Sequence, residues 1–196
     1  EISLLKGRRY EDFILYSTEH PQMNIVEMDT VIGTINGKKC LMTLYIRKTH
    51  FMLIFLLEKK DSASVNAKIN FLKEKLGPTL YSKVFRIFLT DNGTEFYSVL
   101  NFERNLDTNT KLSNIFFCHP YSTKKKHGIE VNHEYIRRVF PKGTSFENLD
   151  KRLGNLDARG VVHNQGATIK DIFEERKVLY EKYADMYMDI CKHSKN

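Results

Sequence analysis

From Ile25 to Ile32 apolar and polar side chains alternate. Val26, Met28, Thr30 and Ile32 share one side of an extended segment; Ile25, Glu27, Asp29 and Val31 share the other. Residues 33–39, with Asn36-Gly37 among them, carry a hairpin turn signal. Cys40–Ile46 reads as a second strand. Phe51–Leu57 is apolar without alternation, as expected of a strand covered on both faces. These three segments predict a β-meander.

Beyond the meander the period lengthens. Asp61 is placed as an N-cap, Val65, Ile69, Leu72 and Leu76 recur at helical spacing, and Gly77-Pro78 is a stop signal. Residues 84–90 read as a buried strand and 115–118 as a short one. Residues 124–140 read as a helix ended by Pro141 and Gly143. A shorter helix is expected near 149–153, and a long charged one over 169–191. The order β-β-β-α-β-(α)-β-α-α predicts an α/β fold: a mixed five-stranded sheet flanked by helices. Residues 1–22, polar and carrying Lys6-Gly7-Arg8-Arg9, are expected to be a lead-in arm. Residues 23–150 would form the core and 151–196 a C-terminal helical extension.

Three acidic residues interrupt this pattern. Asp29 stands in the middle of the first strand, where aspartate is a poor strand former and an unpaired buried charge is costly. Either its face is open to solvent, as Glu27 on the same side would allow, or the carboxylate has chemistry to do. Asp91 follows an apolar strand, at the kind of edge where open α/β sheets place their sites. By pattern alone, however, Asp91-Asn92-Gly93 between apolar runs reads first as a hairpin turn. Glu130 lies on the helix after a lysine run and reads first as a solvated side chain. Together the three could serve phosphoryl transfer, in which two divalent ions about 4 Å apart clamp the attacking and leaving oxygens. Mg²⁺ prefers carboxylate oxygens and keeps several waters, so two or three carboxylates suffice.

Composition narrows the setting. Of 196 residues, 41% are hydrophobic, with 13 Phe and 10 Tyr, enough for a real core. The formal net charge is +7, consistent with a polyanionic partner. Three well-separated cysteines form no CxxC pair, so neither a disulfide framework nor a zinc ribbon is indicated, and a reduced, cytoplasmic setting fits. The longest apolar run, Phe51–Leu57, is too short to span a bilayer. Because the chain opens on Glu1, it is expected to be a piece of a longer protein.

Five segments carry a resemblance: Met28-Asp29-Thr30-Val31-Ile32-Gly33; Leu41-Met42-Thr43-Leu44-Tyr45-Ile46-Arg47-Lys48; Thr90-Asp91-Asn92-Gly93-Thr94-Glu95-Phe96; His119-Pro120-Tyr121-Ser122; and Ile136-Arg137-Arg138-Val139-Phe140-Pro141-Lys142-Gly143-Thr144. In order and spacing, over about residues 24–175, they resemble the DDE transposase and retroviral-integrase core superfamily. The nearest likeness is to the insertion-sequence-thirty family of bacterial transposases. The resemblance implies an RNase-H-like fold in which Asp91 ends a strand. It implies that Asp29, Asp91 and Glu130 are catalytic and hold two Mg²⁺ or Mn²⁺ ions, with Asp29 shared between them. Ile129 and Val131 replace the family's polar neighbours of the glutamate, so Glu134, one turn later, is the alternative third ligand. Thr30, Asn92 and Glu95 are implied as supporting residues.

The implied activity is metal-dependent DNA strand cleavage and strand transfer by a two-metal-ion phosphoryl transferase. It would act at a bacterial nucleoid, with element ends and target DNA as partners and a homo-oligomer assembled on DNA. Lys124, Lys125 and Lys126, opening the helix that carries Glu130, are placed for phosphates; Arg137, Arg138 and Lys142 would extend the track. Two other functions use the same residues: a decayed or domesticated DNA-binding module, and an RNase-H-like nuclease acting on RNA–DNA hybrids. A thiol nucleophile at Cys118-His119 is rejected, because neighbours on a strand point to opposite faces. A zinc protease at His133-Glu134 is rejected because Arg137 stands where HExxH needs a second histidine.

Overall fold

The computed structural model describes residues 4–119 except Leu106, and 127–149 except Asn148; the side chains of His127, Tyr135 and Val139 are outside the description. The elements are α1 (Tyr10–Glu19), β1 (Ile25–Ile32), β2 (Cys40–Ile46), β3 (Phe51–Leu57), α2 (Ser62–Val84), β4 (Ile87–Thr90), a 3-10 turn (Thr94–Phe96), α3 (Val99–Glu103), β5 (Asn114–Phe117) and α4 (His127–Val139). The five strands form one mixed sheet in the order β3-β2-β1-β4-β5. The meander is antiparallel, whereas β4 runs parallel to both β1 and β5. The expected mixed α/β sheet with flanking helices is present. Asp91-Asn92-Gly93 is not a hairpin turn, since the strand before it has parallel neighbours on both sides and the chain leaves through the 3-10 turn.

Strand alternation sorts the apolar side chains onto two faces. Val26, Met28, Met42, Leu44, Phe55 and Phe88 point into the larger cluster, which α2 covers with Val65, Ile69 and Leu72. The opposite face is divided. On one side Ile129 and Ile136 of α4 cover Val31, Leu41, Tyr45, Met52 and Ile54. On the other side Phe13 of α1 covers Ile87, Leu89, Phe116 and Cys118, with Ile25 at the margin. On β1 the residues between these two patches are Glu27 and Asp29, so a polar seam divides the face.

Two boundaries differ from the sequence reading. Residues 4–22 do more than lead in: α1 packs Phe13 into the sheet, and the Phe117 amide donates to the Arg8 carbonyl. Gly77-Pro78 ends the first helical stretch, as read, but a second follows at once across a kink, so α2 is two helices in continuous sequence. Gly77 takes φ 69° and ψ 166°, a conformation suited to glycine, and helix resumes through Val84. The following strand therefore begins at Ile87, not at residue 84. The expected helix near 149–153, apart from Leu149, and the one over 169–191 lie outside the described residues. Among the described residues no helix is long and apolar enough to cross a membrane.

The segment after α4 folds back over the β1–β2 hairpin. Glu147 accepts hydrogen bonds from the Lys38 and Lys39 amides at 2.7 and 3.1 Å, which holds its carboxyl below the usual carboxylate range. Gly33 passes so close that a Cβ there would stand 2.3 Å from the Thr144 carbonyl oxygen and 3.1 Å from the Phe146 ring. Gly33→Ala is therefore predicted to cost about 1–3 kcal/mol, because neither backbone nor buried ring yields cheaply. Chemical denaturation measures this, and a wild-type midpoint would show that residues 140–149 are not seated there.

Candidate active site

The site begins with strand register. β1 and β4 pair in parallel through Ile25↔Ile87, Val26↔Phe88 and Glu27↔Leu89. The same offset, carried two residues past the last pair, sets Asp91 opposite Asp29. Adjacent strands are about 4.8 Å apart, so the register brings the two aspartates side by side where β4 ends. Alternation puts both on the divided face, Asp29 with Val31 and Asp91 with Leu89. Both are half-buried. Asp29 Oδ1 accepts from the Thr30 amide at 2.7 Å, and Asp91 Oδ1 accepts from the Gly93 amide at 3.2 Å.

Glu130 lies in the first turn of α4, which packs against β1 and β2. Ile129 and Ile136 face the core at 0% and 2% exposure. On the flank beside them, His133 Nε2 lies 2.8 Å from Thr43 Oγ1, and Arg137 donates to the Ile32 carbonyl at 2.9 Å. Thr43 is the cross-strand partner of Asp29 and donates to its carbonyl at 3.2 Å, which leaves Nε2 as the donor towards the hydroxyl. At 100° per residue, Glu130 projects on this same flank, close to the azimuth of Arg137. It is half-buried, whereas Glu134 is exposed.

The loop after Asp91 is held by a second carboxylate. Glu95, 4% exposed, accepts from the Thr30 hydroxyl at 3.0 Å and pairs with Lys60 at 3.2 Å. This ties β1, the 3-10 turn and the entrance to α2 together beside both aspartates. Asn92 Oδ1 is buried with no hydrogen-bond partner among the described residues, and so is Arg137 Nη1. Cys40 lies near the same carboxylate. Burial, above all, pushes its thiol up to about 11, with Lys60 opposing and Glu95 adding, so it is no nucleophile at neutral pH.

The sequence-named residues thus divide three ways. Asp29 and Asp91 come together by register, and Thr30 and Glu95 by a hydrogen bond. Glu130 occupies the adjoining helix flank, yet among the described residues no three His, Cys, Asp or Glu side chains converge as a metal-binding group. Arg137 packs against β1, while Arg138 and Lys142 are exposed. Lys124, Lys125 and Lys126 lie outside the described residues, as does the stretch from Pro120 to Ser122.

Glu27 is the residue that sequence reasoning passed over. Weighed as a sign of a solvent-facing strand side, it is only 2% exposed. Its Oε1 accepts from Arg47 Nε at 2.6 Å and its Oε2 from the Ile129 amide at 2.7 Å. The Arg47 guanidinium also lies 5.8 Å from the centre of the Phe13 ring. Burial first, and then the Glu27 charge, raises the Tyr45 phenol, with Arg47 opposing. The available signal was Arg47, one residue beyond β2 and close to Glu27 in a hairpin of that length.

No family model matches the chain. Over 158 residues it is 30% identical to three Escherichia coli (strain K12) proteins: "Transposase InsI for insertion sequence element IS30C", "Transposase InsI for insertion sequence element IS30D" and "Transposase InsI for insertion sequence element IS30A". The match covers 80% of this chain and 37% of each relative, so the chain spans little more than a third of the curated relatives it matches.

Glu95→Ala is predicted to destabilise the protein by about 1–3 kcal/mol, through the unpaired Thr30 hydroxyl and the lost Lys60 pair, which is partly exposed and worth less than a buried one. Thermal unfolding within a few tenths of a kcal/mol of wild type would remove Glu95 as the anchor of the loop.

Proposed function

We propose that this chain is the RNase-H-like catalytic core of a DDE-type transposase, performing metal-dependent DNA strand cleavage and strand transfer. Asp29, Asp91 and Glu130 would hold two Mg²⁺ or Mn²⁺ ions. The observation that carries the reading is the parallel β1–β4 register, whose last pair, Glu27↔Leu89, extended by two residues would set Asp91 opposite Asp29. Likeness to the insertion-sequence transposases supports it, and so does the flank of α4 on which Glu130 lies.

The ions would activate the attacking oxygen and offset charge on the leaving one. The protein's own groups supply position. Asp29, from the central strand, and Asp91, just past β4, would help to hold the ions. Carboxylates brought close at this edge would repel one another, which favours a cation among them. Thr30, Glu95 and the buried pairings behind them keep the loop of Asp91 from drifting, so little reorganisation is left to the reaction. Asn92, with an unpaired buried acceptor, is suited to a donor on the bound substrate or its hydration shell.

Phosphate contacts fall to Lys124, Lys125, Lys126, Arg137, Arg138 and Lys142. Arg137 fits this role in one specific way: its Nη2 is spent on Ile32 while its buried Nη1 has no acceptor among the described residues, and a phosphate oxygen would satisfy it. The activity would be carried by copies assembled on element ends and target DNA.

Purified protein with Mn²⁺ and labelled element-end DNA tests the reading. Asp29→Asn and Asp91→Asn should each lower nicking by about a hundredfold or more while leaving thermal unfolding nearly unchanged. Nicking by Asp91→Asn at the wild-type rate would end the proposal. Cutting confined to an RNA–DNA hybrid would assign a nuclease in its place, and salt-dependent binding without cutting would assign a DNA-binding module.

A further inference from the structure

We propose that Glu27 is a positioning residue, whose buried carboxylate, paired with Arg47, pins the first turn of α4 to β1 and thereby sets the reach of Glu130 towards Asp29 and Asp91. The inference rests on the metal-site reading above and deepens it.

Each Glu27 oxygen is committed to a different element. Oε1 takes Arg47 Nε at 2.6 Å, and Oε2 takes the Ile129 amide at 2.7 Å. Ile129 is the third residue of α4, so its amide is among those a helix cannot satisfy internally, and it sits at the positive end of the helix dipole. The pinned amide immediately precedes Glu130 in the chain. Glu27 itself stands two residues before Asp29 on the same face of β1, about 7 Å along the strand. One short covalent path therefore runs from Asp29 to the carboxylate that fixes the helix, and from the fixed amide to Glu130.

Apolar packing alone would not fix this geometry. Ile129 and Ile136 rest on Val31, Leu41 and Ile54, a surface that accepts a slide or roll of the helix at small cost. A one-residue change turns α4 by about 100° and takes Glu130 off the flank facing β1. A charge-assisted hydrogen bond in a buried site has narrow geometry and removes that freedom. Arg47 supplies the countercharge that offsets the burial of the Glu27 carboxylate.

The test measures Mn²⁺ affinity by electron paramagnetic resonance of the free ion, in wild type, Glu27→Gln, Glu130→Gln and the double variant, together with amide exchange at residues 129–131. Glu27→Gln should weaken Mn²⁺ binding about tenfold or more and speed exchange in the first turn of α4, leaving α2 unchanged. In the Glu130→Gln background it should add little, because it acts through Glu130. Fully additive losses, or unchanged exchange at 129–131, would overturn the proposal. Should Glu27→Gln not fold, Arg47→Lys, which keeps the cation and loses the planar fork, is read in the same way with a several-fold loss expected. If wild type and Glu130→Gln bind Mn²⁺ alike, the metal-site reading falls by itself; faster exchange in Glu27→Gln then sustains the anchor, and unchanged exchange removes it.

Discussion

Parallel pairing of β1 with β4 is the constraint from which the rest of the molecule follows. Antiparallel neighbours need only a short turn, but a parallel neighbour needs a crossover, and here the whole of β2, β3 and α2 lies between the paired residues. Closing so long a loop carries an entropic cost that only extensive burial offsets. The side chains that provide it are apolar on both faces of β4: Phe88 points under α2, and Ile87 and Leu89 point under α1. A parallel strand covered twice in this way has little freedom to slip, because a shift by one residue would exchange its two faces. The alignment of Asp29 with Asp91 is therefore a consequence of core packing, and no direct attraction between two like charges is required to bring it about.

The same packing explains why polar residues collect where they do. α1 and α4 share one face of the sheet without merging their apolar patches. The gap between them is filled by Glu27, Asp29 and the Arg47 guanidinium, with Thr43 and His133 alongside. A carboxylate in such a gap is tolerable only if each oxygen finds a donor. Glu27 achieves this with Arg47 and the Ile129 amide, whereas Asp29 and Asp91 remain half-open to solvent. The difference in burial divides the labour: the enclosed carboxylate holds structure, and the half-open ones remain accessible to ligands.

How much of this could be read in the residues depends on the range of the interaction. The meander was legible because alternation in Ile25–Ile32 and unbroken apolarity in Phe51–Leu57 are local records of one-sided and two-sided burial. Asp61 as an N-cap was equally local, and its carboxylate does accept from the Ser64 amide at 2.8 Å. Asp91-Asn92-Gly93 misled by pattern because turn chemistry is the same whether a chain reverses into a hairpin or leaves a parallel strand; the family resemblance, and not the local residues, favoured the strand end. α1 is hard to read because Phe13, Ile14, Leu15 and Tyr16 run together without helical spacing, and only Phe13 is fully buried. Glu27 was misjudged because a glutamate on an alternating strand looks solvated until its partners, 20 and 102 positions away, are known.

Stability and chemistry make opposite demands on this seam, and the residues meet them at different depths. A wholly apolar seam would join the two patches into one continuous core and would hold α1 and α4 more tightly. It would also leave no acidic group at the edge where β4 stops. A wholly ionic seam would bring Asp29, Asp91 and Glu130 together against their mutual repulsion. The arrangement found lies between the two. One ion pair, with its carboxylate buried and its guanidinium partly exposed, lies at the helix start, and a hydroxyl and an imidazole bridge the middle. Carboxylates are left only where water or a cation can reach them. In a fold built this way Asp29 and Asp91 can be substituted with little effect on packing, whereas a change at Glu27 disturbs both the sheet face and the start of the helix that carries Glu130, because its carboxylate is bonded to each.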